Sequence, residues 1–257
     1  MQVVLVHGFT QSGAAWARVA AELRERHPEL EVITPDLPGH GGSTGLGDAV
    51  DLAAAARHLG SECGRACYVG YSMGGRVALQ LALDEPSTVE RLVLVSTTAG
   101  IEDPEERAAR RGADEELAER LEAGGDEGLG QFVEEWLAGP LFSGLDERAA
   151  NREARLANAA AGLAAALRSL GTGAQLPNWE RLGSLTAPSL VVAGEHDAKF
   201  VALGERLARA IGPGAELVLV PGAGHAVPFE RPVAFAAMVG AFCLGGLGTG
   251  GGGPAAT

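Results

Sequence analysis

The residues of this chain best suited to nucleophilic or acid–base chemistry are a serine set between glycines, an aspartate and a histidine, in that order. Ser72 lies in Gly70-Tyr71-Ser72-Met73-Gly74, after the apolar run 66–69 and before the helical run 76–83. Strand, G-x-S-x-G and helix together describe a nucleophile elbow. The turn is so sharp that Gly70, Gly74 and Gly75 read as steric clearance around an exposed hydroxyl. Asp197 in Gly194-Glu195-His196-Asp197 and His225 in Pro221-Gly222-Ala223-Gly224-His225 each follow an apolar, β-branched run. A serine at its free pKa needs a neutral imidazole within hydrogen-bond reach, and the imidazole needs a carboxylate to hold its tautomer. Ser72, His225 and Asp197 are the candidates for these three roles.

The elements that must position them follow from periodicity. Short apolar runs at 2–6, 31–35, 66–70, 91–96, 189–193 and 216–220 alternate with helical patterns, which predicts a parallel sheet. Ser72, Asp197 and His225 each leave the carboxyl end of a predicted strand, the edge where open parallel sheets place ligands. The order Ser, Asp, His is that of α/β-hydrolases and differs from the other triad folds. The expected fold class is therefore α/β, an α/β-hydrolase fold with a mostly parallel sheet flanked by helices. From about 100 to 185 no strand pattern is found, and Ala, Glu, Arg and Leu recur at helical spacing. One crossover needs only about a dozen residues, so the excess predicts an inserted helical cap. The expected division is a core over 1–99 and 186–244, the cap over 100–185, and a disordered glycine-rich tail over 245–257.

Composition narrows the partners. A net charge of −13 over 257 residues argues against nucleic acid or an anionic membrane surface, and an anionic substrate would need locally placed arginines. Met1 is followed at once by the strand-like run 2–6, with no charged leader or bilayer-length apolar stretch in view, so a cytoplasmic location is expected. Cys63, Cys67 and Cys243 fit that compartment as reduced thiols and have no zinc-site spacing. There is no H-E-x-x-H, no paired C-x-x-C, no G-x-G-x-x-G after the first strand and no Walker lysine, so neither metal nor cofactor is expected.

His7-Gly8-Phe9 follows the first strand, where an α/β-hydrolase supplies one backbone N–H of its oxyanion hole. The other comes from the residue after the serine, so the proposed donors are Phe9 and Met73. His7 reads as a turn lock and His40, in Asp36-Leu37-Pro38-Gly39-His40-Gly41-Gly42, as a loop-shaping residue. His27, His58 and His196 lack partners that suggest chemistry.

Beyond these features the chain resembles the 2-succinyl-6-hydroxy-2,4-cyclohexadiene-1-carboxylate synthases of menaquinone biosynthesis. The resemblance runs over nearly the whole chain. It covers His7-Gly8-Phe9, the loop 36–41 and the elbow extended to Gly75-Arg76. In the cap it covers Glu106-Arg107-Ala108-Ala109-Arg110-Arg111 with Asp114, Trp136 with Pro140-Leu141-Phe142, Arg155 ahead of Gly162-Leu163, and Gly171-Thr172-Gly173. Asp197-Ala198-Lys199-Phe200 also fits. The resemblance implies a lyase on a hydrolase scaffold, in which serine and histidine remove a proton and pyruvate is eliminated from a cyclohexene precursor. It assigns Arg76, Arg110 and Arg155 to the carboxylates of a small polycarboxylate substrate, and Tyr71 and Trp136 to further pocket positions. Planar guanidinium groups suit that task because they bind carboxylates through two parallel bonds. Arg107, Arg111 and Arg168 read as solvated helix-face residues. The chain departs from the pattern at Ser96-Thr97-Thr98-Ala99-Gly100, at Gln175-Leu176-Pro177-Asn178-Trp179 with its offset proline, and at Pro228, all bordering the expected pocket. Two other readings remain open: a carboxylesterase or carbon–carbon bond hydrolase with Ser72 as covalent nucleophile, and a non-enzymatic ligand receptor on the same scaffold.

Overall fold

Strand β1 (Gln2–Val6) sends Val3 and Leu5 to one face of a sheet and Val4 and Val6 to the other, and all four are fully buried. Both faces are covered, which is why the run is apolar throughout instead of alternating with polar residues. The same holds for β3 (Ala66–Tyr71) and β5 (Ser189–Gly194), buried at every residue. Together with β2 (Glu31–Ile33), β4 (Val89–Val95) and β6 (Ala215–Val220) they form one parallel sheet in the order β2-β1-β3-β4-β5-β6. These observations come from a computed structural model that describes residues 1–43 and 51–246. The tail expected to lack structure lies, from residue 247 on, outside the described residues.

Helices α1 (Ala17–Arg26) and α10 (Pro232–Cys243) cover one face, burying Leu23, Phe235 and Val239 around Trp16. Helices α2 (Leu52–Cys63), α3 (Met73–Asp84) and α8 (Ala198–Ile211) cover the other, with Leu59, Val77, Leu81 and Leu207 packed on Val4, Tyr68 and Leu92. Asp51 starts α2 by accepting a hydrogen bond from the Ala54 amide at 2.7 Å, the usual service of an acidic N-cap.

Between β4 and β5 the described chain is helical. Helix α4 (Pro104–Leu137) is capped by Asp103, which accepts from the amides of Glu105 and Glu106. It is kinked at Gly125, whose φ of 55° breaks the helical path. The short α5 (Glu147–Ala150) and α6 (Arg152–Leu156) follow, and α7 (Ala160–Leu170) packs back on α4 through Ala118, Leu121, Phe132, Val133, Leu163 and Leu167. That small apolar core is separate from the two sheet faces. After β6 the short α9 (Val227–Glu230) leads into α10. No helix among the described residues is long and apolar enough to cross a membrane.

Candidate active site

Ser72 occupies the turn between β3 and α3 with φ +52° and ψ −111°, a left-handed backbone that a residue bearing a Cβ adopts at a cost of about 1–3 kcal/mol. Neighbouring strands hold it there. Its amide donates to Val95 O at 2.9 Å, and the Thr97 hydroxyl donates to Ser72 O at 2.7 Å. A Cβ on Gly74 would sit inside the van der Waals envelope of Val6 O and His7 O, so the elbow closes against β1 only with glycine there.

Asp197 begins α8 and serves two partners. One carboxylate oxygen accepts from the Phe200 amide at 3.2 Å, and the other accepts from His225 Nδ1–H at 2.8 Å. With Nδ1 occupied, His225 Nε2 is the nitrogen free to act as a base. The imidazole is only 3% exposed and is packed between Phe200, Tyr71 and Phe142, at centroid distances of 4.5, 5.5 and 6.0 Å. Ser72, Asp197 and His225 line a single cavity of about 600 Å³. Phe9 and Met73 line it too, and the Met73 amide opens α3, where a helix has no acceptor of its own for its first N–H groups.

The same cavity is lined by Arg76 and Arg110. Arg76 is buried on α3, and its Nη1 donates to the side-chain oxygen of Gln175 at 3.2 Å. Burial, with the Arg110 charge nearby, pushes its guanidinium down to about 10, which leaves it cationic at neutral pH. Arg110 Nε donates to the buried Asp114 carboxylate at 2.8 Å, one helical turn along α4. Asp114 thus offsets one of the two positive charges and leaves the other for an anionic guest. Trp136 lines the cavity and meets Phe9 edge-on at 5.2 Å.

Two residues expected at the pocket stand behind it. Arg155, 1% exposed, spends its donors on the protein: Nε on Ala150 O at 2.8 Å, Nη1 on the Thr10 hydroxyl and on Phe9 O. Burial lowers its pKa to about 10. It does not line the cavity, and it braces the loop that carries Phe9. Tyr71 also lies beneath the cavity, against His225 and Phe229, its hydroxyl buried and its pKa raised by burial.

The turn-lock reading of His7 matches what is found: Nε2 accepts from the Leu37 amide at 2.9 Å and Nδ1 donates to Gly8 O. His40 is buried in its loop with Nδ1 on Pro38 O. Arg168 pairs with Glu115 and Glu122 on the surface, and Arg107 caps the carbonyls of Ile101 and Glu102. His196 differs from expectation, because it lines the cavity; the Ser96-Thr97-Thr98 turn, expected to border the pocket, lines it too, as does Lys199. Ser96 follows the end of β4. Its φ of 46° repeats, one strand over, the left-handed turn of Ser72. Among the described residues no group of three or more His, Cys, Asp or Glu is placed to hold a metal.

A parallel six-stranded sheet with a serine elbow and a His–Asp pair at its carboxyl edge defines a class, and the chain belongs to the alpha/beta hydrolase family, whose model matches residues 3–238. Within that class it is 35% identical to a putative 2-succinyl-6-hydroxy-2,4-cyclohexadiene-1-carboxylate synthase of Bacillus subtilis, across 93% of this chain and 89% of that protein. It is 33% identical to the synthase of that name from Klebsiella pneumoniae, across 90% of this chain and 89% of that protein. It shares a family with these synthases. Among solved structures, MenH from S. aureus superposes with a TM-score of 0.85 at 30% identity, covering 96% of this chain and 95% of its own. A malate-bound thermophilic esterase from Thermogutta terrifontis superposes with a TM-score of 0.76, also at 30% identity, covering 93% of this chain and 88% of its own.

Proposed function

We propose that this chain is a cofactor-free lyase that eliminates pyruvate from 2-succinyl-5-enolpyruvyl-6-hydroxy-3-cyclohexene-1-carboxylate, giving 2-succinyl-6-hydroxy-2,4-cyclohexadiene-1-carboxylate for menaquinone synthesis. The observation that carries the reading is the sharing of one cavity by Ser72, His225 and the two guanidinium groups of Arg76 and Arg110. A simple esterase has no need of two arginines beside its serine, whereas a substrate with several carboxylates does. The synthase names of the relatives support the same reading.

His225 Nε2 takes the Ser72 proton, and the Ser72 oxygen removes a ring proton of the substrate. The electron pair forms the new ring double bond as the carbon–oxygen bond to the enolpyruvyl group breaks. Pyruvate leaves as its enolate and takes the proton held on His225 at its methylene carbon, which returns Ser72 and His225 to their starting states. The amides of Phe9 and Met73 stabilise the negative oxygen that develops, and Asp197 holds the imidazole. Arg76 and Arg110 bind carboxylates, each bond of this kind contributing about 1.5–3 kcal/mol. Trp136 bounds the pocket. Tyr71 supports the His225 ring, and Arg155 supports the Phe9 loop. Residues 100–185 form the cap that closes the site. The substrate is a small polycarboxylate, and the net charge of −13 argues against nucleic acid or an anionic membrane surface as a partner. The three free, buried cysteines suit a cytoplasmic enzyme.

The esterase neighbour keeps a second reading in play, hydrolysis through an acyl-Ser72. Pyruvate release from the cyclohexene precursor, measured beside hydrolysis of a p-nitrophenyl ester, separates the two. The proposal expects release by the wild type, none above background by Ser72→Ala, and slow ester turnover. Rapid ester cleavage without pyruvate release would overturn it.

A further inference from the structure

His225 must present Nε2 to Ser72 from a six-residue loop, 221–226, that joins β6 to α9. Asp197 orients its ring, but a hydrogen bond to Nδ1 leaves the Cα free to shift unless the backbone is also held. Glu230, the last residue of α9, supplies that hold. One carboxylate oxygen accepts from the Gly224 amide at 2.8 Å, the other from the Ala226 amide at 2.9 Å. These are the peptide N–H groups on either side of His225. The Glu230 amide in turn donates to Ala226 O at 3.0 Å, which closes a ring between side chain and loop.

The far side of the loop is blocked as well. Gly224 O presses on Gly194 at the end of β5, so closely that a Cβ on Gly194 would overlap it. Farther out, Glu195 accepts from the Gly222 amide at 3.0 Å and Arg231 Nη2 donates to Gly222 O at 2.6 Å.

We propose that Glu230 is a positioning residue for the reaction, fixing the main chain of His225 from both flanks while Asp197 fixes its ring. The proposal rests on the role given to His225 above. Both bonds have an ionised acceptor, and bonds of that kind are roughly twice as strong as neutral ones. Without Glu230 two amides beside a buried residue lose their acceptors and the loop must rearrange to find others. A shift of about 1 Å in a reacting group costs about a hundredfold in rate.

Glu230→Gln and Glu230→Ala test this in the full-length protein. Glutamine is isosteric but turns an NH2 toward one of the two amides, so it keeps one bond and loses the other. The expected loss in kcat is about tenfold for Gln and about a hundredfold for Ala. KM should stay within about threefold, since neither Arg76 nor Arg110 bonds to Glu230. A second readout needs no lyase substrate: labelling of Ser72 by an alkyl fluorophosphonate, in which the serine oxygen bonds to phosphorus, fluoride leaves and His225 takes the proton. Its rate should fall in the same order. A wild type that labels rapidly yet releases no pyruvate would defeat the proposed function, and labelling would still decide on Glu230. Folded variants that label and turn over within about twofold of wild type, or that lose only KM or melting temperature, would overturn the inference. Should Glu230→Ala fail to fold, the isosteric Gln variant decides it.

Discussion

The Asp197 carboxylate holds His225 Nδ1 at 2.8 Å with one oxygen while the other caps α8 through the Phe200 amide. One side chain therefore sets both the tautomer of the base and the start of a helix. The two duties come apart in Asp197→Asn. Asparagine caps helices about as well as aspartate, so melting temperature should fall little. It cannot stabilise the imidazolium or dictate that Nδ1 carries the proton, so kcat should drop by about 10³–10⁴. Circular dichroism melting beside pyruvate release measures both. Equal loss of stability and rate would place Asp197 in the fold alone.

Arg76→Met removes a buried cation from the cavity while keeping most of its length. Loss of one charge-assisted bond of about 1.5–3 kcal/mol raises KM by about 10- to 150-fold. Arg107→Met, at a residue that only caps carbonyls on the cap surface, should leave KM unchanged. Steady-state kinetics on the two variants checks the contrast, and an equal effect on both would remove Arg76 from the carboxylate site.

Gly74→Ala should be among the most damaging single-methyl changes in the chain, because the added carbon would overlap the carbonyls of Val6 and His7. Forced overpacking of this kind costs about 1–3 kcal/mol or more. Denaturant unfolding is the measurement. A midpoint equal to wild type would mean that β1 and the elbow are farther apart than described.

His7 and His40 predict acid sensitivity. Burial pushes His7 down to about 4; burial and then the neighbouring His7 push His40 down to about 3. Both values lie below the unfolded value of about 6.5, so the unfolded chain binds more protons as the medium acidifies. Their contribution is fully present above pH 6.5. It is lost as pH falls from there toward 4 for His7 and toward 3 for His40. Melting temperature should thus be level above pH 7 and decline below 6.5, less steeply in His40→Gln. A level profile down to pH 5 would contradict the buried neutral state of both rings.

The strands were legible because burial on both faces leaves long apolar runs, and β1, β3, β5 and β6 lie within one residue of the expected limits. β2 stops at Ile33, short of the expected residue 35, since Pro35 has no N–H for a ladder. β4 begins two residues early, at Val89. Ser72, Asp197 and His225 were legible because each follows a strand, and strand ends converge in a parallel sheet. Arg155 was assigned to the substrate carboxylates through the resemblance, and nothing local in the sequence tells where its donors go. Its partners Phe9 and Thr10 lie some 145 residues away, and only the packed chain shows that its donors are already taken. His196 was overlooked as a site neighbour for the same reason: its amide donates to Ala223 O, so its position depends on how the loops after β5 and β6 meet, and no local periodicity records that.

On the proposed mechanism elimination at Ser72 forms no covalent intermediate, and the arginines of the cavity hold the substrate. Intact-protein mass measured during turnover on the cyclohexene precursor, with pyruvate quantified in the same sample, tests it most directly. One pyruvate per substrate consumed, with the protein mass unchanged throughout, is the expected result. A mass increase on Ser72 that builds up and decays with turnover would contradict it and make the enzyme a hydrolase.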